Sequence, residues 1–195
     1  MTTTSLSLLE RAGREGDSQA WRQLAELYTP LLTHWLKRYA LQPSDVDDLV
    51  QEVLLSVARE LPGFQHVGRA GAFRAWLRGI LIFRLKHYWR TKQRRPQGRG
   101  ASEFLRQIQE LEDPQSALSR LWDQEHDRYL LERLLETIAA RFEAATMESF
   151  RRVAIQGEPP DAVARDLGIS LNAVVIAKCR VLKELRREAR GLLDA

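Results

Sequence analysis

Apolar residues return every three or four positions along most of this chain, and they almost never alternate with polar ones; helices are therefore expected throughout and strands nowhere. From Ser18 to Tyr39 the stripe is Trp21, Leu24, Leu27, Tyr28, Leu31, Leu32, Trp35 and Leu36, with Pro30 placed to break or kink it into two helices. Ser44 then reads as an N-cap, followed by Asp45, Asp47 and Asp48, where negative charge suits the start of a helix. The expected helix, Asp45 to Leu61, buries Val46, Leu49, Val50, Val53, Leu54, Val57, Ala58 and Leu61. It aligns Asp45, Asp48, Glu52, Ser56 and Arg59 on its other face, and Pro62 and Gly63 stop it. A loop, Phe64 to Ala70, leads into the stretch from Gly71 to Gly100. Its first half predicts a buried helix through Phe73, Trp76, Leu77, Ile80, Leu81 and Phe83. Its second half replaces apolar residues with Arg84, Lys86, Arg90, Lys92, Arg94 and Arg95, with Tyr88 and Trp89 among them.

After Arg95 the residues Pro96, Gln97, Gly98 and Gly100 carry a linker signature, and Glu103 to about Leu121 is polar, acidic and interrupted by Pro114. Leu130, Leu131, Leu134, Leu135, Ile138 and Phe142 mark one further helix, and Met147, Phe150, Val153 and Ala154 another that ends at Gly157. Pro159 and Pro160 open a short helix through Leu167. Gly168 makes a tight turn, Ser170 caps, and a long helix follows from Leu171 to about Arg190, burying Val174, Ala177, Val181, Leu182 and Leu185. That pattern is a helix-turn-helix, although generic helical hairpins share it. The expected fold is all-α: a first helical domain over 1–95, a mobile linker over 96–125, and a helix-turn-helix domain over 126–195.

Composition alters this picture little. At 195 residues, 44% hydrophobic and 29% charged, the chain is an ordinary soluble protein with material for real cores. The formal charge of +4 is small, so its distribution matters more. No acid occurs between Glu60 and Glu103, whereas Glu103 to Glu136 is acidic and Lys178 to Arg190 is mostly basic. Cys179 stands alone among apolar neighbours on its expected helix, which excludes an internal disulfide and suggests a structural thiol. The N-terminus has no secretory pattern, and no stretch approaches the roughly 20 apolar residues of a membrane span, so a cytoplasmic location is expected.

The cations and rings of the Gly71–Gly100 stretch suit nucleic acid: cations neutralise phosphate, and exposed rings stack on unpaired bases. A solvated basic helix end with packed aromatics remains the plain alternative. For the acidic face of Asp45, Asp48 and Glu52, solvation is the plain reading. A shared metal ion would have to span two helical turns without a convergent His or Cys. No Ser/His/Asp set or phosphate-cradling glycine loop is present, and no cofactor is expected.

DVDDLVQEVLLSVARELPGF, then FRAWLRGILIFRLKHYWRTKQRR, then the C-terminal GISLNAVVIAKCRVLKELRRE together resemble a bacterial RNA polymerase sigma factor of the extracytoplasmic-function (ECF) type. The resemblance implies a subunit without catalytic residues that binds core RNA polymerase, directs it to promoter DNA and helps melt it. It assigns Asp48, Gln51 and Glu52 to the polymerase contact. Arg84, His87, Tyr88, Arg90, Lys92 and Arg94 fall to the downstream (−10) element, with His66 and Arg69 as weaker candidates. Ser170, Asn172, Lys178, Arg180 and Lys183 fall to the upstream (−35) element. Relatives often carry Lys and Arg where this chain has Val175 and Ala177, which marks a divergent subgroup whose apolar surface would contact thymine methyls or protein. An anti-sigma factor is a further partner that the resemblance suggests. Two other functions compete: a helix-turn-helix regulator that never contacts polymerase, and a metal-dependent nuclease built on Asp45, Asp48 and Glu52 with His66 or His87.

Overall fold

Every regular element among the described residues is helical. The computed structural model describes residues 8–14, 16–64, 71–92, 100–190 and 192. The helices are α1 (Leu8–Ala12), α2 (Ser18–Leu36), α3 (Pro43–Glu60), α4 (Ala72–Lys92), α5 (Gly100–Glu112), α6 (Ala117–Ala139), α7 (Ala144–Phe150), α8 (Pro160–Leu167) and α9 (Leu171–Ala189). The chain divides into two units, one running to Leu130 and the other from Leu131 to Arg190.

In the first unit α3 packs against both α2 and α4. Asp17 caps α2, its carboxylate accepting from the Ala20 N–H at 2.9 Å. Pro30 does not split the helix as the sequence suggested. It sits on the exposed side of α2, where the lost backbone bond faces water, while Tyr28, Leu31, Leu32 and Trp35 are buried around it. Nor does Ser44 cap α3. Gln42 is the capping residue and Pro43 takes the first helical position, where its missing N–H leaves no intrahelical bond unmade.

The segment expected to be a linker belongs largely to this first unit. Phe104, Ile108 and Leu111 recur at four- and three-residue steps on α5 and are buried in the core, as is Trp122 on α6. Phe104 stacks on Trp89 with ring centroids 4.6 Å apart and meets Tyr39 edge-on, and Trp122 meets Trp35 edge-on at 4.9 Å. Gln107, Gln109, Glu110 and Glu112 flank Ile108 and Leu111, and the segment showed no obvious core face in the sequence.

Charge pairing fixes the start of α6 as well. Arg74 of α4 pairs with Asp123 at 2.9 Å and with Asp127, and Arg78 reaches Asp123 at 3.2 Å. Between these pairs lies a fully buried histidine: the Tyr28 hydroxyl donates to His126 Nε2 at 3.1 Å, and His126 Nδ1 donates to Asp127 at 2.9 Å. Burial holds the His126 pKa below its ordinary value, against the pull of Asp127. Burial pushes the Asp127 carboxyl upward, but its bonds from His126 and Arg74 outweigh that and leave it below the usual carboxylate range.

The second unit holds the end of α6 together with α7, α8 and α9. Its buried residues include Ile138, Met147, Phe150, Val163, Val174 and Val181. The helix expected from Met147 through Ala154 ends earlier as an α-helix, at Phe150, and continues as one π turn, Arg151–Ile155. That turn presents Arg152, which clamps Glu158 at 2.5 Å and Asp166 of α8 at 2.7 Å; these bonds raise the guanidinium pKa further above its ordinary value. Arg141 likewise pairs with Glu184 and Glu188 of α9.

Candidate nucleic-acid interface

Arg84, expected to meet DNA, instead points at α3. Its Nε and Nη2 donate to the Ser56 hydroxyl at 2.9 and 2.6 Å, and its Nη1 lies 3.8 Å from Glu52. Ser56 is buried because α4 covers it, and its hydroxyl in turn donates to the Glu52 carbonyl at 2.8 Å. Tyr88 is also engaged: its hydroxyl donates to Asp45 at 2.7 Å, and its ring packs on the core. Trp89 lies under Phe104 of α5. These three side chains hold helices together in this structure.

The outward side of α4 is different. His87 and Arg90 are exposed there, and Arg90 pairs with no acid among the described residues. Phe83, which the periodicity placed in the core, is 57% exposed, with the Arg84 guanidinium 5.6 Å from its ring centroid. Trp76 is only partly buried and stacks on Phe64 at 4.6 Å. Lys92 lies at the end of α4; its side chain, like Arg94, His66 and Arg69, is outside the described residues.

Across the α3–α4 pair, Asp48 and Gln51 are exposed and Glu52 is partly so, one helical turn apart on α3. Leu55 continues the same face at 61% exposure. The apolar spacing already left this leucine off the buried stripe, whereas Leu54, expected in the core, is only partly buried. Among the described residues no three His, Cys, Asp or Glu side chains converge as metal ligands. None of the helices among them is long and apolar enough to cross a membrane.

In the second unit α8 and α9 are joined by Gly168, Ile169 and Ser170. Gly168 has φ +63°, a left-handed conformation that glycine adopts without steric cost. Ser170 caps α9, accepting from the Ala173 N–H at 3.1 Å, so its hydroxyl already serves the helix. Asn172, Lys178, Arg180 and Lys183 are all exposed, although the Arg180 guanidinium lies over the Phe142 ring at 5.8 Å. Leu171, Val175 and Ile176 are each about half exposed in the first turns. Cys179 follows them on the exposed face, not in the interior where its apolar neighbours suggested.

Residues 24–95, which span α2 to α4, match the family described as Sigma-70 region 2. This stretch of the first unit is similar to a sigma-70 region 2 domain. The chain is also 34% identical over 93 residues to the ECF RNA polymerase sigma factor SigF of Caulobacter vibrioides (strain NA1000 / CB15N), a match covering 47% of this chain and 50% of that relative. The chain thus spans half the length of the curated relative it matches. Both findings support the ECF-type sigma factor recognised from the DLVQEV and FxxWL residues, and neither is to an enzyme family. The region 2 match ends before α5, so the packing of α5 and α6 onto this domain is a feature of the chain that the match does not describe.

Proposed function

We propose that the chain acts as a sigma factor, binding core RNA polymerase and directing it to promoters whose downstream element it helps to hold open. The observation that carries this reading is the region 2 domain at residues 24–95, with a polar outer face on α3 and an acid-free α4 beside it. On α3, Asp48, Gln51, Glu52 and Leu55 form the polymerase contact. On α4, the exposed His87 and Arg90, with Lys92 and Arg94 beyond them, meet the melted strand. Arg84 and Tyr88 act one step back, by fixing α4 against α3. In the second unit, α8 and α9 dock α9 in the major groove of the upstream element, with Asn172, Lys178, Arg180 and Lys183 as polar contacts and Ser170 as the cap that starts the helix. Capturing extruded bases offsets the few kcal/mol that unstacking costs, so opening requires no chemistry from this chain.

The test adds the purified chain to bacterial core polymerase and a library of promoter fragments. Co-elution with core and initiation from a defined subset of sequences is the expected result. A chain that binds DNA without binding core would instead be a helix-turn-helix regulator, and metal-dependent cleavage of the fragments would make it a nuclease.

A further inference from the structure

The corner between α8 and α9 has little apolar material of its own. Its buried cluster is Val163, Ala164 and Val174, with Val153, Leu167 and Ile169 partly buried against it. The later half of α9 is better anchored: Ala177, Val181 and Leu185 are buried there, and Arg141 ties that half at Glu184 and Glu188. The half that would enter a groove, from Ser170 to Ile176, buries only Val174. So few apolar contacts leave the angle of this corner to be set by something else.

Arg152 supplies it. The residue stands beside Val153 in the π turn after α7, a form that recurs at functional sites. Its Nε donates to the two Glu158 carboxylate oxygens at 3.0 and 3.1 Å, and its Nη2 donates to Glu158 at 2.5 Å and to Asp166 at 2.7 Å. Its carbonyl accepts the Glu158 N–H at 3.0 Å, so the loop is closed through backbone and side chain alike. Glu158 lies just before the Pro159–Pro160 start of α8, and Asp166 lies in its last turn. One guanidinium thus holds both ends of an eight-residue helix. An acid in the last turn opposes the helix dipole, and Asp166 also repels Glu158, so without the cation this helix end would loosen. A planar fork holds two carboxylates in fixed directions, which the point charge of a lysine does not. Gly168 then turns the chain into α9, so an α8 fixed at both ends fixes where α9 begins.

We infer that Arg152 is a positioning residue for duplex reading: by holding α8 at Glu158 and Asp166 it sets the angle at which the first turns of α9 enter the major groove. The inference rests on the reading of α8 and α9 as the upstream duplex contact, and it adds a residue that acts without touching DNA. Its loss differs from the loss of a contact. A tilted α9 misplaces Asn172 and Val175 against the base edges, while Lys178, Arg180 and Lys183 still find phosphates, which carry no sequence information.

The experiment uses the full chain, alone and assembled with core polymerase. It compares binding to a duplex that the parent selects from random sequence with binding to a scrambled duplex of the same length. Arg152→Met should lower the preference for the selected duplex by about 5- to 150-fold, the range for one mismatched base pair. Binding to the scrambled duplex, and its salt dependence, should stay with the parent's. Arg152→Lys, which keeps a charge but not the fork, should recover part of the preference. Asp166→Asn releases only one end of α8, keeps the Glu158 bonds, and should lose part of it. In a second measurement, one spin label sits on the native Cys179 of α9 and another on Asp161→Cys of α8, both exposed positions. Below the melting transition, the distance between the labels should be more broadly distributed in Arg152→Met than in the parent. A preference unchanged in both Arg152→Met and Asp166→Asn would overturn the inference. So would affinity lost equally for the two duplexes, or an unchanged distance distribution. A parent that selects no duplex sequence would sink the upstream reading, and the role of Arg152 with it. Co-elution with core is scored separately, so a chain that selects duplex but never binds core fails as a sigma factor while the duplex preference still decides the role of Arg152.

Discussion

Tyr88, near the end of α4, donates its hydroxyl to Asp45 in the first turn of α3 across 2.7 Å. The bond joins a residue expected to touch DNA to one expected to lie on a free acidic face. One turn earlier Arg84 makes the equivalent tie to Ser56. The helices α3 and α4 are thus fastened together by side chains expected to serve separate tasks.

Removing that tie should cost stability and spare binding. A hydrogen bond to a charged acceptor contributes about 1.5–3 kcal/mol when well buried, and this partly exposed one belongs near the lower end. Tyr88→Phe keeps the ring in the core, so urea unfolding should show a loss of about 1–2 kcal/mol. Its affinity for oligothymidine should equal the parent's.

The Tyr28–His126–Asp127 chain makes a pH prediction. The groups facing His126 are Tyr28 from α2, Arg74 from α4, and Asp123 and Asp127 from α6. Burial lowers the folded pKa of His126 below its ordinary 6.5, so under mild acid the unfolded chain binds more protons than the folded one. Stability is therefore full above 6.5 and falls as pH drops from there toward the folded pKa. The lowered pKa of Asp127 adds a separate loss only below its ordinary 3.8. Melting temperature recorded against pH should decline through the first window, and His126→Gln should flatten that slope whatever it does to stability at neutral pH.

The packing of α5 and α6 predicts where the first unit can be cut. A fragment ending at Arg95 loses Phe104, Ile108, Leu111 and Trp122, uncovering Trp35, Tyr39 and Trp89. A fragment ending at Leu130 retains them. The longer fragment should unfold cooperatively in urea, and the shorter one should bind a hydrophobic dye without a sharp transition. Within the full chain, Trp122→Ala should cost about 3–5 kcal/mol, as expected for emptying a fully buried aromatic site.

Helix identity was legible in the sequence because the buried stripes of α2, α3, α4 and α9 are long and regular. Long-range pairing was not. Phe104, Ile108 and Leu111 are too few among acids and glutamines to announce a core face, and the pairing of Asp123 and Asp127 with Arg74 and Arg78 joins residues far apart in the chain. On α4 periodicity placed Phe83 inside, yet the helix has its neighbours on the sides of Leu77, Leu81 and Leu85 and leaves Phe83 outside. Whether Tyr88 or Phe83 is the exposed ring depends on how α3 and α4 are rotated, which no local pattern sets.

Leu55 extends the α3 face of Asp48 and Gln51 and is 61% exposed, so it contributes little to the fold. If that face meets core polymerase, Leu55→Glu should weaken core affinity by tenfold or so, since burying an unpaired carboxylate at an interface is costly. Melting temperature should stay with the parent's. Asp48→Ala with Glu52→Ala should weaken core binding as well, and unchanged affinity in both variants would remove α3 from the interface.

The first turns of α9 show Leu171, Val175 and Ile176 where a groove-reading helix usually offers polar side chains. From Leu171 to Lys183 the helix has no acid, and Lys178, Arg180 and Lys183 are exposed, so charge favours a duplex here as well. The thymine methyl is the feature of the major groove that apolar side chains can read. Binding sites selected from random duplex should therefore be rich in thymine, and replacing those thymines with uracil should weaken binding although base pairing is preserved. Lys183→Ala should weaken binding to all sequences alike and reduce the salt dependence by about one released counterion. Val175→Ser should lose the thymine–uracil difference while keeping the salt dependence. A chain indifferent to uracil would assign this apolar face to a protein partner instead.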